Sequence, residues 1–528
     1  MKSFLLLLTT LYLLASCQQQ TETQEEEANL STPPNIIYIL ADDLGYGDIG
    51  VYGQEKIETP NIDALAADGM RFIQHYAGAP VCAPSRCVLI TGKHSGHAYI
   101  RGNDEWGDRG DVWNYMAMYQ DSTLEGQRPL PADTQTIPKL LREAGYSTGM
   151  IGKWGLGSPD SESIPTSMGF DYFFGYNCQR QAHTYYPLHL YENETRVFLS
   201  NDTVPPRTGL PEGANPFDLA SYAPFTLAEY TPTLMFENMQ RFIAEQQDQP
   251  FFFYWASPIP HMPLQAPQRW VDYYVDKFGE EEPYLGDKGY FPHRYPHAAY
   301  AAMVSYLDEN IGKLVAQLKA AGIYENTLII FSSDNGPTYN GGTDTPWFDS
   351  AKPFQSKQGR IKGSVYEGGI RVPMIATWPA KIEAGASSDH ISAFYDVLPT
   401  LREIAGVDMQ VHTDGISFLP TLVGEDQQQQ KHEFLYWEFP GYRGQLAVRM
   451  GKWKFIQRDL NSDSPTLELY NLNEDPGESE NVAEEHPEVI QQAVEIFERE
   501  HSQPTLDKFK MQAIETGLIG SRTAGSIE

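Results

Sequence analysis

At 528 residues the chain exceeds the roughly 250–300 residues that one hydrophobic core usually serves, which predicts one large domain and a smaller one. Its Lys+Arg total of 38 against Asp+Glu of 70 gives a formal net charge of −32. That balance excludes general attraction to nucleic acid or anionic surfaces, so an anionic substrate would need a local positive site.

Residues 1–17 begin with Lys2, run through Phe4-Leu5-Leu6-Leu7-Leu8 to Leu13-Leu14 and end on small residues before Cys17, an export signal too short to span a membrane. Leu14-Ala15-Ser16-Cys17 resembles a bacterial lipobox. The resemblance implies cleavage before Cys17, lipidation of its thiol and a membrane-anchored lipoprotein, periplasmic or on the cell surface. Residues 18–34, from Gln18-Gln19-Gln20 through Glu25-Glu26-Glu27 to Pro33-Pro34, are polar, acidic and aperiodic, a disordered tether. Residues 35–425 are expected to form the catalytic domain and 426–528 a smaller subdomain. Of the remaining cysteines, Cys87 and Cys178 could be free thiols or one disulfide.

The run Asn35 to Leu40 is continuously apolar and rich in β-branched residues, the signature of a strand buried on both faces of a parallel sheet. It stops at Asp42-Asp43, whose adjacent carboxylates are most readily reconciled by a shared cation. A helix begins near Thr59-Pro60, and another follows Cys82, placing that residue near orphan N–H donors. Thr136 to Ala144 predicts a helix stopped by Gly145, and Tyr146 to Ile151 a strand that delivers Gly152-Lys153-Trp154. Residues 158–232 read as a long irregular, aromatic insertion facing substrate. Thr233 to Glu245 predicts a helix and Pro250 to Trp255 a buried strand, followed by His261 in Pro258-Ile259-Pro260-His261-Met262-Pro263.

Met303, Val304, Leu307, Ile311, Leu314, Val315 and Leu318 form the apolar stripe of a long helix ended by Gly322. Thr327 to Phe331 is a further buried strand, ending in Ser332-Ser333-Asp334-Asn335-Gly336, and Met374 to Trp378 another. Strands that repeatedly end in polar residues mark the carboxyl edge of a parallel sheet, where α/β folds place their ligands. Beyond an exposed linker at Gln427–Gln430, four short strands at turn spacing (Phe434–Trp437, Leu446–Arg449, Lys452–Ile456 and Leu467–Tyr470) and a helix over Pro487–Glu500 predict an antiparallel sheet. The fold class is thus α/β: a large, mostly parallel sheet flanked by helices, with a C-terminal antiparallel-sheet-plus-helix subdomain. Asp42, Asp43, Asp334 and Asn335 offer only oxygen ligands, which suits a hard cation. Four protein side chains leave few waters, favouring Ca²⁺ over Mg²⁺.

The stretch Cys82-Ala83-Pro84-Ser85-Arg86, continuing to Leu89 and Thr91-Gly92, resembles the signature C-x-P-S-R-x-x-L-x-T-G of the type I sulfatases, members of the alkaline-phosphatase-like superfamily. Asp42 to Asp48 resembles that family's D-D-x-G-x-G-D, His261 lies in a P-H-x-P, and Lys362 to Pro373 resembles K-G-x-x-x-E-G-G-x-R-V-P. The resemblance implies oxidation of Cys82 to formylglycine by a maturation enzyme, with residue 82 joining the metal site and its hydrated aldehyde attacking sulfur. The second hydroxyl of that diol then restores the aldehyde and ejects sulfate. It further implies that Arg86 orders residue 82, that Lys153 and Lys362 neutralise sulfate oxygens, and that His261 protonates the leaving group.

One departure stands out: the family's G-K-W-H-L-G reads Gly152-Lys153-Trp154-Gly155-Leu156-Gly157, without the histidine. His94 and His183 are the candidate substitutes and substrate contacts. Export and aromatic insertions favour a sulfated glycan, with galactose or N-acetylgalactosamine sulfates suggested by family analogy. The alternatives are a phosphoesterase or phosphonate hydrolase of the same superfamily, and a surface lipoprotein that binds sulfated glycans without turnover.

Overall fold

A computed structural model describes residues 33–408 and 411–520. The export signal, Cys17 and most of the tether lie outside the described residues. Among the described residues, fifteen strands form two sheets. In chain order they are β1 (Asn35–Ala41), β2 (Met70–Tyr76), β3 (Ser147–Lys153), β4 (Tyr172–Tyr176), β5 (His189–Glu192), β6 (Thr195–Phe198), β7 (Phe251–Ala256), β8 (Thr327–Ser333), β9 (Arg371–Thr377), β10 (Ala386–Ser388), β11 (Ser392–Ala393), β12 (Leu435–Phe439), β13 (Gln445–Met450), β14 (Trp453–Arg458) and β15 (Thr466–Asn471). The larger sheet has eleven strands in the order β10-β2-β9-β8-β1-β7-β3-β4-β5-β6, with β11 also on β2.

Its centre is parallel: β1 pairs with β7 and β8, and β3 with β7 and β4. Every residue of β1 is buried, and its side chains alternate between two cores. Ile36, Tyr38 and Leu40 join one cluster, packed with Val88, Leu141 and Leu401 from helices Cys82–Thr91, Ile137–Glu143 and Val397–Ile404. Ile37, Ile39 and Ala41 join the other, with Ile62, Phe236 and Leu307 from helices Pro60–Ala67, Thr231–Gln246 and Pro296–Ala320. Helices on both faces explain why the central strands read as unbroken apolar runs.

Two features depart from the sequence reading. The insertion at 158–232 is not wholly irregular: β4, β5 and β6 fall within it and extend the large sheet, β5 and β6 running antiparallel. β5 and β6 are only four residues each, too short for a periodic signal. Strand β9 is antiparallel to β8, which brings its start, and the Lys362 segment before it, to the edge where the parallel strands end.

The second sheet, β12-β13-β14-β15, is antiparallel throughout. Tyr436, Val448 and Leu469 on one face pack on Val489 and Phe497 of the helix Pro487–Glu500. Trp437, Ala447 and Ile456 on the other face enter the first core cluster of the large domain. Buried charges pin the same seam, where Lys454 Nζ lies 2.8 Å from Glu367 Oε1 and Tyr76 donates to Glu367 Oε2 at 2.7 Å. No described helix is long and apolar enough to cross a membrane.

Candidate active site

The carboxyl ends of four parallel strands meet at one point. β1 delivers Asp42 and Asp43, β8 delivers Asp334 and Asn335, β3 ends on Lys153, and the loop after β7 carries His261. Asp43 adopts a left-handed backbone, φ 66°, a conformation that turns the second carboxylate back towards the first and that few non-glycine residues hold outside functional sites. Cys82 opens the buried helix Cys82–Thr91, capped by extended Val81.

Charges alternate through the cluster. Lys153 Nζ lies 2.5 Å from Asp42 Oδ2 and Lys362 Nζ 2.6 Å from Asp43 Oδ2. The Arg86 guanidinium donates through Nε and Nη2 to Asp334 Oδ2, both at 3.0 Å, and through Nη1 to the Lys153 carbonyl at 2.7 Å. Asp334 Oδ1 accepts the Asp43 N–H at 3.1 Å, and Asn335 Nδ2 donates to Asp43 Oδ1 at 2.8 Å. His261 Nε2 lies 3.7 Å from Asp43 Oδ2, while its Nδ1 donates to the Met262 carbonyl at 2.7 Å, leaving the Nε2 lone pair facing the centre. Ligand atoms of Asp42, Asp43, Cys82 and His261 all lie within 4.8 Å of one another.

These contacts set the proton affinities. Burial raises the Asp42 carboxyl, but the Lys153 and Arg86 charges outweigh it and hold Asp42 ionised far below the ordinary range. Burial, only partly countered by Lys362, raises Asp43, and the Asp42 charge raises it further. Burial, then the Asp42 charge, push the Cys82 thiol up to about 12. An unmodified thiol there is protonated at neutral pH and a poor nucleophile. Burial, then Lys362, keep His261 neutral in the absence of an anion.

A cation fits this donor set. Asp42 Oδ1 and Asn335 Oδ1 are buried and have no hydrogen-bond partner. Two unsatisfied oxygens in one cluster of three carboxylates are suited to Ca²⁺.

The structure brings together Asp42, Asp43, Cys82, Arg86, Lys153, His261, Asp334, Asn335 and Lys362. His183 joins them, its ring stacked on His261 at 5.5 Å between centroids with 9° between planes. His94 is corrected: it lies beyond the far end of the ten-residue Cys82–Thr91 helix. There its Nδ1 accepts the Gly96 N–H at 3.1 Å and its Nε2 contacts Glu500 at 3.3 Å. Nδ1 is taken up by its own loop and Nε2 faces the C-terminal helix, so His94 does not stand where the histidine missing at Gly155 would. Cys87 and Cys178 are free, buried thiols.

Sequence reasoning missed Tyr290, whose ring packs edge-on against both His183 and His261. It also missed Gln179, which fills the space beside Gly155. Neither lies in a motif, and the aromatic insertion around Gln179 was the only signal available.

A buried cysteine at a helix start, clustered carboxylates with unpartnered oxygens and paired lysines at the carboxyl edge of this sheet fit an alkaline-phosphatase-like α/β enzyme. The chain belongs to the sulfatase family: residues 34–407 match the family described as Sulfatase, and residues 361–503 match N-sulphoglucosamine sulphohydrolase, C-terminal. Human arylsulfatase A is 31% identical over 506 residues, covering 88% of this chain and 86% of that protein. An N-acetylgalactosamine-6-O-sulfatase of Bacteroides thetaiotaomicron is 29% identical, covering 93% and 97% respectively. The crystal structure of Ps i-CgsB in complex with k-i-k-neocarrahexaose is 26% identical with a TM-score of 0.70, covering 92% of this chain and 96% of that one. The protein is a sulfatase, an enzyme that hydrolyses sulfate esters.

Proposed function

We propose that the protein is an exported, lipid-anchored carbohydrate sulfatase. It removes sulfate from a glycan through formylglycine made from Cys82, with Ca²⁺ held by Asp42, Asp43, Asp334, Asn335 and residue 82. The observation that carries this reading is the pair of orphaned oxygens: Asp42 Oδ1, in the cluster that also holds Cys82, and Asn335 Oδ1, whose amide is bonded to Asp43 of that cluster. When present, the calcium ion would lower the proton affinity of an oxygen at residue 82, and formylglycine would supply that oxygen as a nucleophile.

The chain's own residues do the rest. Arg86, locked between Asp334 and the Lys153 carbonyl, fixes the helix start that bears residue 82. Lys153 and Lys362 stay charged because Asp42 and Asp43 outweigh their burial. They present two ammoniums to the sulfate oxygens as negative charge grows on them. His261 is neutral until an anion enters, and the field of a bound sulfate then favours a proton on Nε2, to be handed to the departing sugar oxygen. His183, stacked against one face of the His261 ring, helps fix the plane in which that proton is presented.

A carbohydrate substrate is supported by the N-acetylgalactosamine-6-O-sulfatase relative and by the k-i-k-neocarrahexaose named in the structural neighbour. The test is sulfate release from sulfated galactose and N-acetylgalactosamine by protein co-produced with a maturation enzyme, with calcium and after chelation. Release that requires calcium and vanishes in Cys82→Ala is expected; undiminished release by Cys82→Ala refutes the nucleophile. Lipid anchoring predicts fatty-acid labelling that is lost in Cys17→Ala, and labelling that persists would contradict it.

A further inference from the structure

We infer that Gln179 is a specificity-determining residue whose side-chain carbonyl accepts a hydrogen bond from a hydroxyl or amide of the sugar bearing the sulfate ester. The inference rests on the carbohydrate-sulfatase reading above. Gln179 and His183 are the two ends of a single 3₁₀ turn. At one end His183 stacks on His261. At the other Gln179 packs on Gly155, two residues beyond Lys153, whose ammonium holds Asp42. The turn therefore forms one wall of the catalytic centre.

That wall concentrates unmet hydrogen bonds. Asn177 Oδ1, Gln179 Oε1, Arg180 Nε and Gln181 Oε1 are all buried without a partner, as is the hydroxyl of Tyr115, which interacts electrostatically with Arg180. More than nine in ten buried polar groups are normally paired, and of these atoms Gln179 Oε1 is the one that lies beside Gly155, so it marks the place a ligand would complete. The other side chains of the turn are tied down within the protein: Gln181 Nε2 meets His189 at 2.9 Å, and Arg180 Nη2 donates to the Leu124 carbonyl at 2.6 Å. Among the described residues no hydrogen bond ties the Gln179 side chain, while its backbone N–H donates to Gln127 Oε1 at 3.0 Å.

Gly155 makes the room for it. A Cβ at Gly155, φ 74°, would lie 2.7 Å from Gln179 Cγ and 3.3 Å from Oε1. A side chain at position 155 and the observed Gln179 exclude each other. A sulfate monoester carries no hydrogen-bond donor at neutral pH, so within the substrate only an O–H or N–H of the attached sugar can be the partner of this orphaned carbonyl. Sites built to receive such a donor reject analogues lacking it strongly.

The test compares Gln179→Ala with the parent, both matured and calcium-loaded, on a sulfated galactose or N-acetylgalactosamine and on p-nitrophenyl sulfate, which has the ester but no sugar. The expected result is a loss of about 10- to 100-fold in kcat/KM on the sugar sulfate with the aryl sulfate unchanged. Equal loss on both substrates, or none on either, overturns the inference. Gly155→Ala should displace the carboxamide and give the same selective loss, with no further loss in the double variant; additive losses count against it. If the alanine variant fails to fold, Gln179→Asn, whose carboxamide is one methylene short, provides the same comparison. If the parent releases no sulfate from either substrate, the carbohydrate-sulfatase reading fails. The inference is then read by calorimetry of the sugar sulfate on unmatured protein: about 10-fold weaker binding by Gln179→Ala upholds it, and unchanged or absent binding overturns it.

Discussion

Replacing Asn335 with alanine removes three things at once: the 2.8 Å hydrogen bond that orients Asp43, the 2.9 Å bond to the Gly336 carbonyl, and the unpartnered Oδ1 offered to a cation. A hydrogen bond to a charged group contributes about 1.5–3 kcal/mol. Losing the orientation of Asp43 should therefore weaken calcium binding about 10- to 150-fold, before the missing ligand oxygen is counted. The assay is the thermal midpoint of chelator-stripped protein as calcium is added back, since a ligand that binds only the folded state raises the midpoint with its concentration. The calcium concentration giving half the rise should shift upward by that factor in Asn335→Ala. Asn335→Asp keeps a ligand oxygen but cannot donate to Asp43 Oδ1, so it should restore only what the missing ligand adds and leave the loss from the broken hydrogen bond. An unchanged half-point in Asn335→Ala would show that calcium, if bound at all, binds elsewhere.

Lys153→Met should lower kcat for sulfate release about 10²- to 10³-fold, because it deletes one of the two ammoniums facing the developing charge; retention of full kcat would remove Lys153 from the chemistry. Lys454→Met leaves Glu367 and Glu478 buried at the seam between the sheets, and should cost about 3–5 kcal/mol of stability by denaturant unfolding; a loss below about 1 kcal/mol would show that the pair does not hold the subdomain. Burial lifts the Asp48 carboxyl from 3.8 to about 6, against the bonds from Tyr300 and Gly45. The folded chain thus keeps a proton that the unfolded chain has released, so this group's contribution to stability falls as pH rises from 3.8 to about 6, by about 3 kcal/mol. Asp48→Asn should flatten that part of the midpoint-against-pH curve, and an unaltered slope would contradict the assignment.

The parts of the site legible in the sequence are those fixed by local chain geometry. A buried strand such as β1 must end where its apolar run ends, so Asp42 and Asp43 were assignable to a sheet edge from residue order alone. The same logic placed Asp334, Asn335 and Lys153. Position along the chain does not report which side chains meet across a sheet. His94 and His183 were equivalent candidates in sequence, yet a helix of ten residues carries one away from Cys82 while a 3₁₀ turn lays the other on His261. The antiparallel course of β9, which returns Lys362 to the centre, follows from long-range pairing with β8 that no local pattern encodes. Strands β4 to β6 escaped for a related reason, since four or five residues within an aromatic stretch show no period. The Glu367–Lys454 contact joins segments 87 residues apart, and only the packed structure reveals it.

The most direct test of the account is the mass of the proteolytic peptide containing residue 82, taken from protein made with a maturation enzyme, alongside sulfate release by the same sample. The account predicts the aldehyde form of that peptide, with activity that rises in proportion to the fraction converted. Full turnover by a sample in which residue 82 is entirely unmodified cysteine would contradict it.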